Sequence, residues 1–212
     1  MVMTKETSFA IAEVTAGKLN ALVKNLMRQM KITDPNEAVR LINSGKWIVS
    51  PVVVWREEDG IIYFNVKSYG RSGPEWVNYF GKKNLESYIV DMLLSSEFKP
   101  TDGVATKVAI LRDSLMGKNP TLKKVFAKGN RLKLLLPNPE VACLIREMFS
   151  NDEMDHGLKL KCIRVMHNPI RLGDKSNVFS VWSEGHDLTA DCVEDKNGSA
   201  PGTGFTFALK NS

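Results

Sequence analysis

The sequence has no long apolar run. None of its segments approaches the roughly 18 consecutive apolar residues that a membrane-crossing helix requires. The N-terminal stretch contains Lys5 and Glu6 but no sustained apolar region of the kind found in signal peptides. We therefore expect no membrane association and a cytoplasmic location.

Cysteine is also scarce. Cys143, Cys162 and Cys192 are the only cysteines, and no two of them form a CxxC pair. An odd and scattered set excludes a disulfide framework and is typical of a reducing compartment. Each of the three is predicted to be a small buried residue with a free thiol.

Recognisable catalytic motifs are missing as well. The chain contains no GxSxG, no P-loop and no dinucleotide-binding glycine pattern. Cys162 and His167 lie five apart, and odd spacing on a strand places them on opposite faces, so we predict no metal site and no cofactor. Ser183, His186 and Asp187 supply the residue types of a hydrolase, but closeness in sequence is not geometry. An enzyme is therefore the least favoured function.

Positive charge is present and unevenly distributed. The formal net charge is +5, yet residues 101–137 hold eight basic and two acidic side chains, while residues 138–212 hold eight basic and eleven acidic ones. The segment 118–133 has no acidic residue and contains six cations: Lys118, Lys123, Lys124, Lys128, Arg131 and Lys133. On a helix, Lys124, Lys128 and Arg131 share one face, which could neutralise the phosphates of a nucleic acid. The alternative is an ordinary solvated helix face.

Local patterns predict both helices and strands. The Asp59-Gly60 pair between two apolar runs predicts a β-hairpin with residues 62, 64 and 66 facing the core. Apolar spacing and cap-proline pairs predict helices at about residues 16–30, 34–45, 74–80, 85–95, 121–136 (interrupted at Gly129) and 139–149. The run 104–111 fits either a strand or a helix. Strands are predicted at residues 47–55, 158–167, 178–182, 188–193 and 205–209.

These elements predict an α+β protein in two parts. Residues 1–157 form a mostly helical domain with a small β-hairpin sheet, and residues 158–212 form a C-terminal β-rich module. Segments 170–177 and 195–204 of that module read as long loops, the usual place for recognition. Our leading hypothesis is a non-enzymatic binding protein that presents these loops to a protein or small ligand. The candidate ligand-binding residues are Arg171, Asp174, Asn177, Asp195 and Asn197.

A family resemblance rests on five segments in matching order: WREEDGIIYFNV, GPEW, SSEFKPTDGV, PNPEVACLIREMFS and VMHNPI. Through them the chain resembles, over about residues 55–170, a family of uncharacterised proteins of candidate-phylum bacteria (Patescibacteria and relatives). That resemblance implies no activity. The ending GFTFAL is similar to the closing strand of C-type-lectin-like folds, some of which present variable loops to ligands, although residues 187–204 lack the Trp/Tyr-rich stretch of those folds.

Overall fold

The computed structural model describes residues 55–184 and 188–210, together with Lys24, Met27, residues 33–37 and Arg40. The chain divides into two compact units, Met1–Val52 and Val53–Ser212. In the first unit the described residues 24, 27, 35–37 and 40 are helical. The rest of the two helices predicted before residue 46, and most of the strand predicted at 47–55, lie outside the described residues. The architecture below is that of the second unit.

The Asp59-Gly60 turn starts the described fold. It joins strand β1 (Trp55–Glu58) to strand β2 (Ile61–Tyr69), and the two strands pair antiparallel. Both turn residues have positive φ, 51° and 75°, which matches the two-residue turns that suit the twist of a hairpin. The predicted hairpin is confirmed, and residues 62, 64 and 66 are buried on one face as expected.

The remaining strands extend this hairpin into one sheet. They are β3 (Asp102–Arg112), β4 (Cys162–Val165), β5 (Ile170–Leu172), β6 (Lys175–Trp182), β7 (Thr189–Cys192) and β8 (Thr203–Ala208). The pairing order runs β1-β2-β3-β8-β4-β6, and β5 and β7 also pair with β6. Ser180 of β6 pairs with Arg164 on one side and Thr189 on the other, so β4 and β7 lie on opposite edges of β6. All pairs are antiparallel except β4 with β8.

The predicted fold class is wrong. Strand β8 returns from the C-terminal end of the chain and lies between β3 and β4, where Val108 pairs with Ala208 and Cys162 pairs with Thr203. Strands from both sides of residue 157 therefore form one eight-stranded sheet in a mixed α/β protein, in place of a helical domain with a small hairpin and a separate β-rich module. Because these segments are so far apart in sequence, no local sequence pattern predicts that they pair.

Short helices cover both faces of the sheet. They are α1 (Gly73–Phe80), α2 (Ser87–Leu94), α3 (Leu122–Arg131) and α4 (Glu140–Met148), with 3-10 turns at Lys82–Asn84 and Asp113–Leu115 and a π-helical turn at Glu153–Gly157. Helices α1, α2 and α4 bury their apolar residues in one cluster with β2 and β6, whereas α3 packs on the opposite face against β8. Within residues 55–184 and 188–210, no helix combines the length and apolarity needed to cross a membrane.

Two local predictions need correction, and one alternative that the sequence left open is decided. Gly129 does not interrupt the helix but lies inside α3, and a Cβ there would lie 2.3 Å from Cε1 of Phe207. The run 104–111 is strand, within β3. The predicted loop 170–177 is mostly strand, because β5 and β6 form a hairpin around Gly173 and Asp174. Glycine at position 129 serves the close approach of helix and sheet, which local sequence patterns do not distinguish from a helix break.

Candidate nucleic-acid interface

Helix α3 is held rigidly by its inner face. Leu122 and Val125 are buried in the cluster that contains Phe205 and Phe207, and Gly129 lets the helix backbone approach the Phe207 ring. Since an α-helix repeats every 3.6 residues, the opposite face carries the basic side chains away from the sheet. The helix predicted to start at about residue 121 is confirmed.

Three of the predicted basic residues converge on one hollow. Lys124, Lys128 and Arg131 line a hollow of about 230 Å³ whose other walls are Met116, Pro120 and Ala127. Among the described residues, no carboxyl group lines it. Within the described part of the chain, none of the three cations forms an ion pair, whereas arginines elsewhere do so repeatedly. The hollow therefore presents positive charge that no neighbouring acidic group neutralises.

The other three predicted cations lie around this hollow. Lys118 lines a neighbouring hollow of about 260 Å³ that shares the Pro120 wall. Asp113 also lines it, but Oδ2 of Asp113 accepts the N–H of Gly202 at 2.8 Å. Lys123 and Lys133 are exposed and line neither hollow. Three of the six predicted residues thus line the first hollow, Lys118 lines the neighbouring hollow, and Lys123 and Lys133 line neither.

The second predicted loop borders the same surface. Ser199 donates from its backbone N–H and from Oγ to the carbonyl of Pro120, at 3.0 Å in both cases. Arg164 donates to Oγ of Ser199 and holds both carboxylate oxygens of Asp191 at 3.0 and 2.8 Å. These bonds fix the loop around residue 199 to the start of α3. The sequence alone did not indicate that this loop and the basic segment would be neighbours.

Two of the predicted ligand-loop residues meet at a different hollow. Asn177 and Asp195 line a space of about 350 Å³ together with Tyr88, Lys175, Asp191 and Cys192, and with Leu172 and Ala190. Arg171, Asp174 and Asn197 are exposed and do not line it. The volume lies in the range of small-ligand sites, and the lining contains both signs of charge.

Two ionisable groups of this pocket, Cys192 and Asp191, are bound by residues that do not line it. Sγ of Cys192 donates to Oε2 of Glu194 at 3.1 Å, and this bond is the main cause that lowers the pKa of Glu194 to about 2. Burial raises the pKa of Tyr88, and Asp191 is already bound by Arg164. Such an arrangement suits the binding of a polar ligand better than proton transfer to it.

Neither a hydrolase site nor a metal site is formed among the described residues. Ser183 is buried, and its Oγ has no hydrogen-bond partner within residues 55–184 and 188–210. His186 and Asp187, the other two members of the hydrolase hypothesis, lie outside the described residues. In the same ranges, no group of three or more His, Cys, Asp or Glu side chains has the geometry to hold a metal ion.

His167 is a buried structural residue. The N–H of Phe179 donates to Nε2 at 2.9 Å, so Nδ1 carries the proton and donates to the carbonyl of Asn168 at 2.7 Å. Burial lowers the pKa of His167 to about 4. The imidazole is therefore neutral at physiological pH and connects β6 to the turn after β4.

Three aromatic rings surround Arg71, and the residue pattern did not predict that Arg71 and Tyr69 would join Trp76 and Tyr79. Cζ of Arg71 lies 4.3 Å from the ring centroids of Trp76 and Tyr79 and 5.0 Å from that of Tyr69. Nη1 of Arg71 also contacts Oε1 of Glu147 at 3.4 Å. The spacing of Trp76 and Tyr79, three residues apart on a helix, was the available signal.

A further hollow of the described unit is lined by groups of both charges and by apolar side chains. It measures about 490 Å³ and is lined by Trp55, Tyr63, Lys107 and Leu209 among others. Arg56 and Glu58 both line it and pair with each other at 3.5 Å. Because cation and carboxylate neutralise each other there, charge does not indicate which ligand class would enter.

Comparison with protein-family models, with curated proteins and with solved structures finds no match for this chain. The resemblance to proteins of candidate-phylum bacteria and the likeness of the last strand to lectin-like folds therefore stay predictions.

Proposed function

We propose that the protein binds the phosphate backbone of nucleic acids through the outer face of α3. The observation that carries this proposal is the convergence of Lys124, Lys128 and Arg131 on one hollow to which no described residue contributes a carboxyl group. Cations that contact phosphates release condensed counterions, and that release supplies most of nonspecific affinity for nucleic acid. Lys118 and Lys123 would widen the contact along the backbone.

Rigid presentation supports the same function. The basic side chains extend from a helix whose inner face is buried against β8, so the backbone that carries them is fixed before binding. A preformed surface loses little conformational entropy when a partner binds. The expected binding is therefore of the lock-and-key type, with little rearrangement of α3.

The surface is suited to the backbone and not to bases. The one aromatic residue of α3 is Phe126, which packs partly buried against the second core cluster. Base stacking on exposed aromatic rings, the feature of many single-strand binders, is thus not provided by this helix. We expect weak sequence preference and strong dependence on salt.

The test is binding of a fluorescein-labelled 20-base-pair duplex at low salt. The variant K124Q/K128Q/R131Q should lose at least tenfold in affinity, because three phosphate contacts are removed. The matched control is K82Q/K83Q/K99Q, which removes the same charge from exposed lysines outside α3 and should bind as the wild type does. Equal losses in both variants would show that only net charge matters and would contradict the proposal.

Preferential binding to a lipid surface is the result that would contradict nucleic acid as the partner. Leu132 and Leu135, which follow α3, are 48% and 47% exposed, and exposed leucines beside lysines also suit anionic membranes. Vesicles of mixed neutral and anionic lipid should compete with the duplex only weakly. Tighter binding to the vesicles than to the duplex at equal total charge would reject nucleic acid as the partner.

A second candidate function is favoured by the 350 Å³ pocket. Asn177 and Asp195 line it beside Lys175, so its polar groups match a small ligand with both charges, and this keeps the hypothesis of a C-terminal ligand site. The probes are the free amino acids, tested by the shift they cause in the melting temperature. At least one should stabilise the wild type and not N177A/D195A. If none does, the pocket does not have this function.

A cytoplasmic location belongs to the same proposal. Cys143, Cys162 and Cys192 are all free thiols, and burial raises the pKa of Cys162 to about 12, which keeps that thiol protonated and unreactive. Free cysteines are typical of a reducing compartment, where intracellular nucleic acids are also found.

A further inference from the structure

The rings around Arg71 form a box with walls at different angles. The planes of Trp76 and Tyr79 meet at 88° with centroids 5.6 Å apart, and Tyr69 lies 6.1 Å from Trp76 at 43°. Trp76 is fully buried and forms the floor, whereas Tyr69 and Tyr79 are 46% and 50% exposed. Three ring faces in this arrangement surround the guanidinium carbon of Arg71, whose side chain is 24% exposed.

Arg71 is bound differently from Arg112 and Arg164, two other partly buried arginines. Arg112 donates to both oxygens of Glu57 at 2.7 and 2.8 Å and to the carbonyl of Leu158 at 2.8 Å. Arg164 makes a comparable fork to Asp191. Arg71 has one long contact, 3.4 Å to Glu147, and is otherwise held by ring faces. Its attachment is thus the kind that a competing cation can replace.

Carboxyl groups surround the box. Glu147 touches Arg71 directly, and the charge of Arg71 also acts on Glu75 at the start of α1 and on buried Glu140 at the start of α4. Oε2 of Glu140 accepts the N–H of Thr101 at 2.9 Å, and the indole of Trp76 also acts on this carboxyl group. If the Arg71 side chain left, aromatic faces and carboxyl groups would remain, which is the combination that binds cations.

We propose that these three rings form a cage for a quaternary ammonium or guanidinium group, and that Arg71 is its built-in plug. The ring faces carry negative quadrupole charge, and they attract a cation most strongly where water is excluded. Arg71 occupies the cage in the resting protein and swings out when a ligand of the same chemistry arrives. The site is independent of α3, which lies on the other face of the sheet.

The experiment follows the indole N–H resonances of the full chain during titration with tetramethylammonium chloride, with sodium chloride as the ionic control. Trp76 is assigned with W76F, and Trp55 and Trp182 serve as internal references. The variant R71A empties the cage and should give saturable shifts at Trp76, with a midpoint at least tenfold below that of the wild type. R71M removes the same charge but fills the cage with an apolar side chain, so it should give no saturable shift.

A second variant separates the cage from a general salt effect. R71A/Y79A lacks one wall and should lose the saturable response. The proposal is overturned if R71A responds no more than R71A/Y79A, if R71M responds like R71A, or if the wild type saturates at the same concentration as R71A. Should R71A fail to fold, R71S takes its place, and the same comparisons with R71M and with the wild type decide.

The source of the cation is distinguished with two probes. A short peptide with one trimethyllysine is titrated beside free tetramethylammonium. At least tenfold tighter binding of the peptide identifies the side chain of a protein partner as the natural occupant. Equal midpoints identify a small free cation. Both results support the cage, whereas saturation by neither probe in R71A contradicts it.

Discussion

At the residue scale, buried polar groups set the sensitivity of this fold to pH. His167 has a pKa of about 4 in the folded protein because it is buried, against a usual value near 6.5 in an unfolded chain. Between those values the unfolded chain binds a proton that the folded chain does not. Stability contributed by neutral His167 is therefore present above about pH 6.5 and is lost as the pH falls towards 4.

We predict that the low pKa of His167 lowers the free energy of unfolding by about 2 kcal/mol when the pH falls from 7 to 4.5. Urea unfolding of the wild type and of H167Q at both pH values measures this loss of stability. The carboxyl groups titrate equally in the two proteins, so their contribution cancels in the comparison. The wild type should lose more stability than H167Q by that amount. Equal losses would mean that His167 is protonated in the folded state.

Residue patterns correctly predicted which face of an element is buried, but they did not predict which elements contact each other. The alternation at positions 62, 64 and 66 and the period of α3 gave the correct buried sides, because both follow from backbone geometry. The convergence of Lys124, Lys128 and Arg131 was predictable for the same reason. The engagement of Ser199 with Pro120 and of Arg71 with Tyr69 was not, since such contacts depend on how separate elements pack.

At the element scale, Gly129 decides how closely α3 packs on the sheet. A Cβ at this position would lie 2.3 Å from Cε1 of Phe207, which is only 1% exposed and has no room to move. Overpacking of this kind costs about 1–3 kcal/mol, more than the roughly 1 kcal/mol that alanine gains over glycine in a helix.

We therefore predict that G129A destabilises the protein by about 1–2 kcal/mol in chemical unfolding. N130A is the matched control, because Asn130 is the next residue of α3 and is exposed. That variant should be neutral or stabilise by a few tenths of a kcal/mol through helix propensity. A stabilised G129A would contradict the close approach of α3 to Phe207.

The elements themselves were largely predictable, and their boundaries were not. Caps and prolines located α1 and α4, and Asp59-Gly60 located the hairpin, because these signals are local. Strand β5 has only three residues, so it read as part of a loop. The run that became β3 was ambiguous until its partners β2 and β8 were known.

At the scale of the whole molecule, β8 connects the two halves of the sequence. All six of its residues are buried, and it separates β3 from β4. Without it, Val108 and Ile110 of β3 keep their pairing with β2 but lose the partner on their other edge, and β4 loses the strand that joins it to β3. This is the physical reason why a division into a helical half and a β-rich half did not hold as a fold class.

We predict that a chain ending at residue 157 does not fold cooperatively. Circular dichroism should show no near-ultraviolet signal from packed aromatic rings and no sharp thermal transition, and limited proteolysis should cut between α1 and α4. The full-length chain is the comparator. A truncated chain that melts cooperatively with a near-ultraviolet spectrum like that of the wild type would contradict the shared sheet.

The most direct test of the proposed function is the salt dependence of duplex binding. For B-DNA, the logarithm of the affinity falls with the logarithm of salt concentration by about 0.9 for each phosphate contact. If Lys124, Lys128 and Arg131 each contact a phosphate, K124Q/K128Q/R131Q should lower that slope by about 3 relative to the wild type, while K82Q/K83Q/K99Q leaves it unchanged. A wild-type slope near zero, or one that the α3 variant does not reduce, would contradict the account.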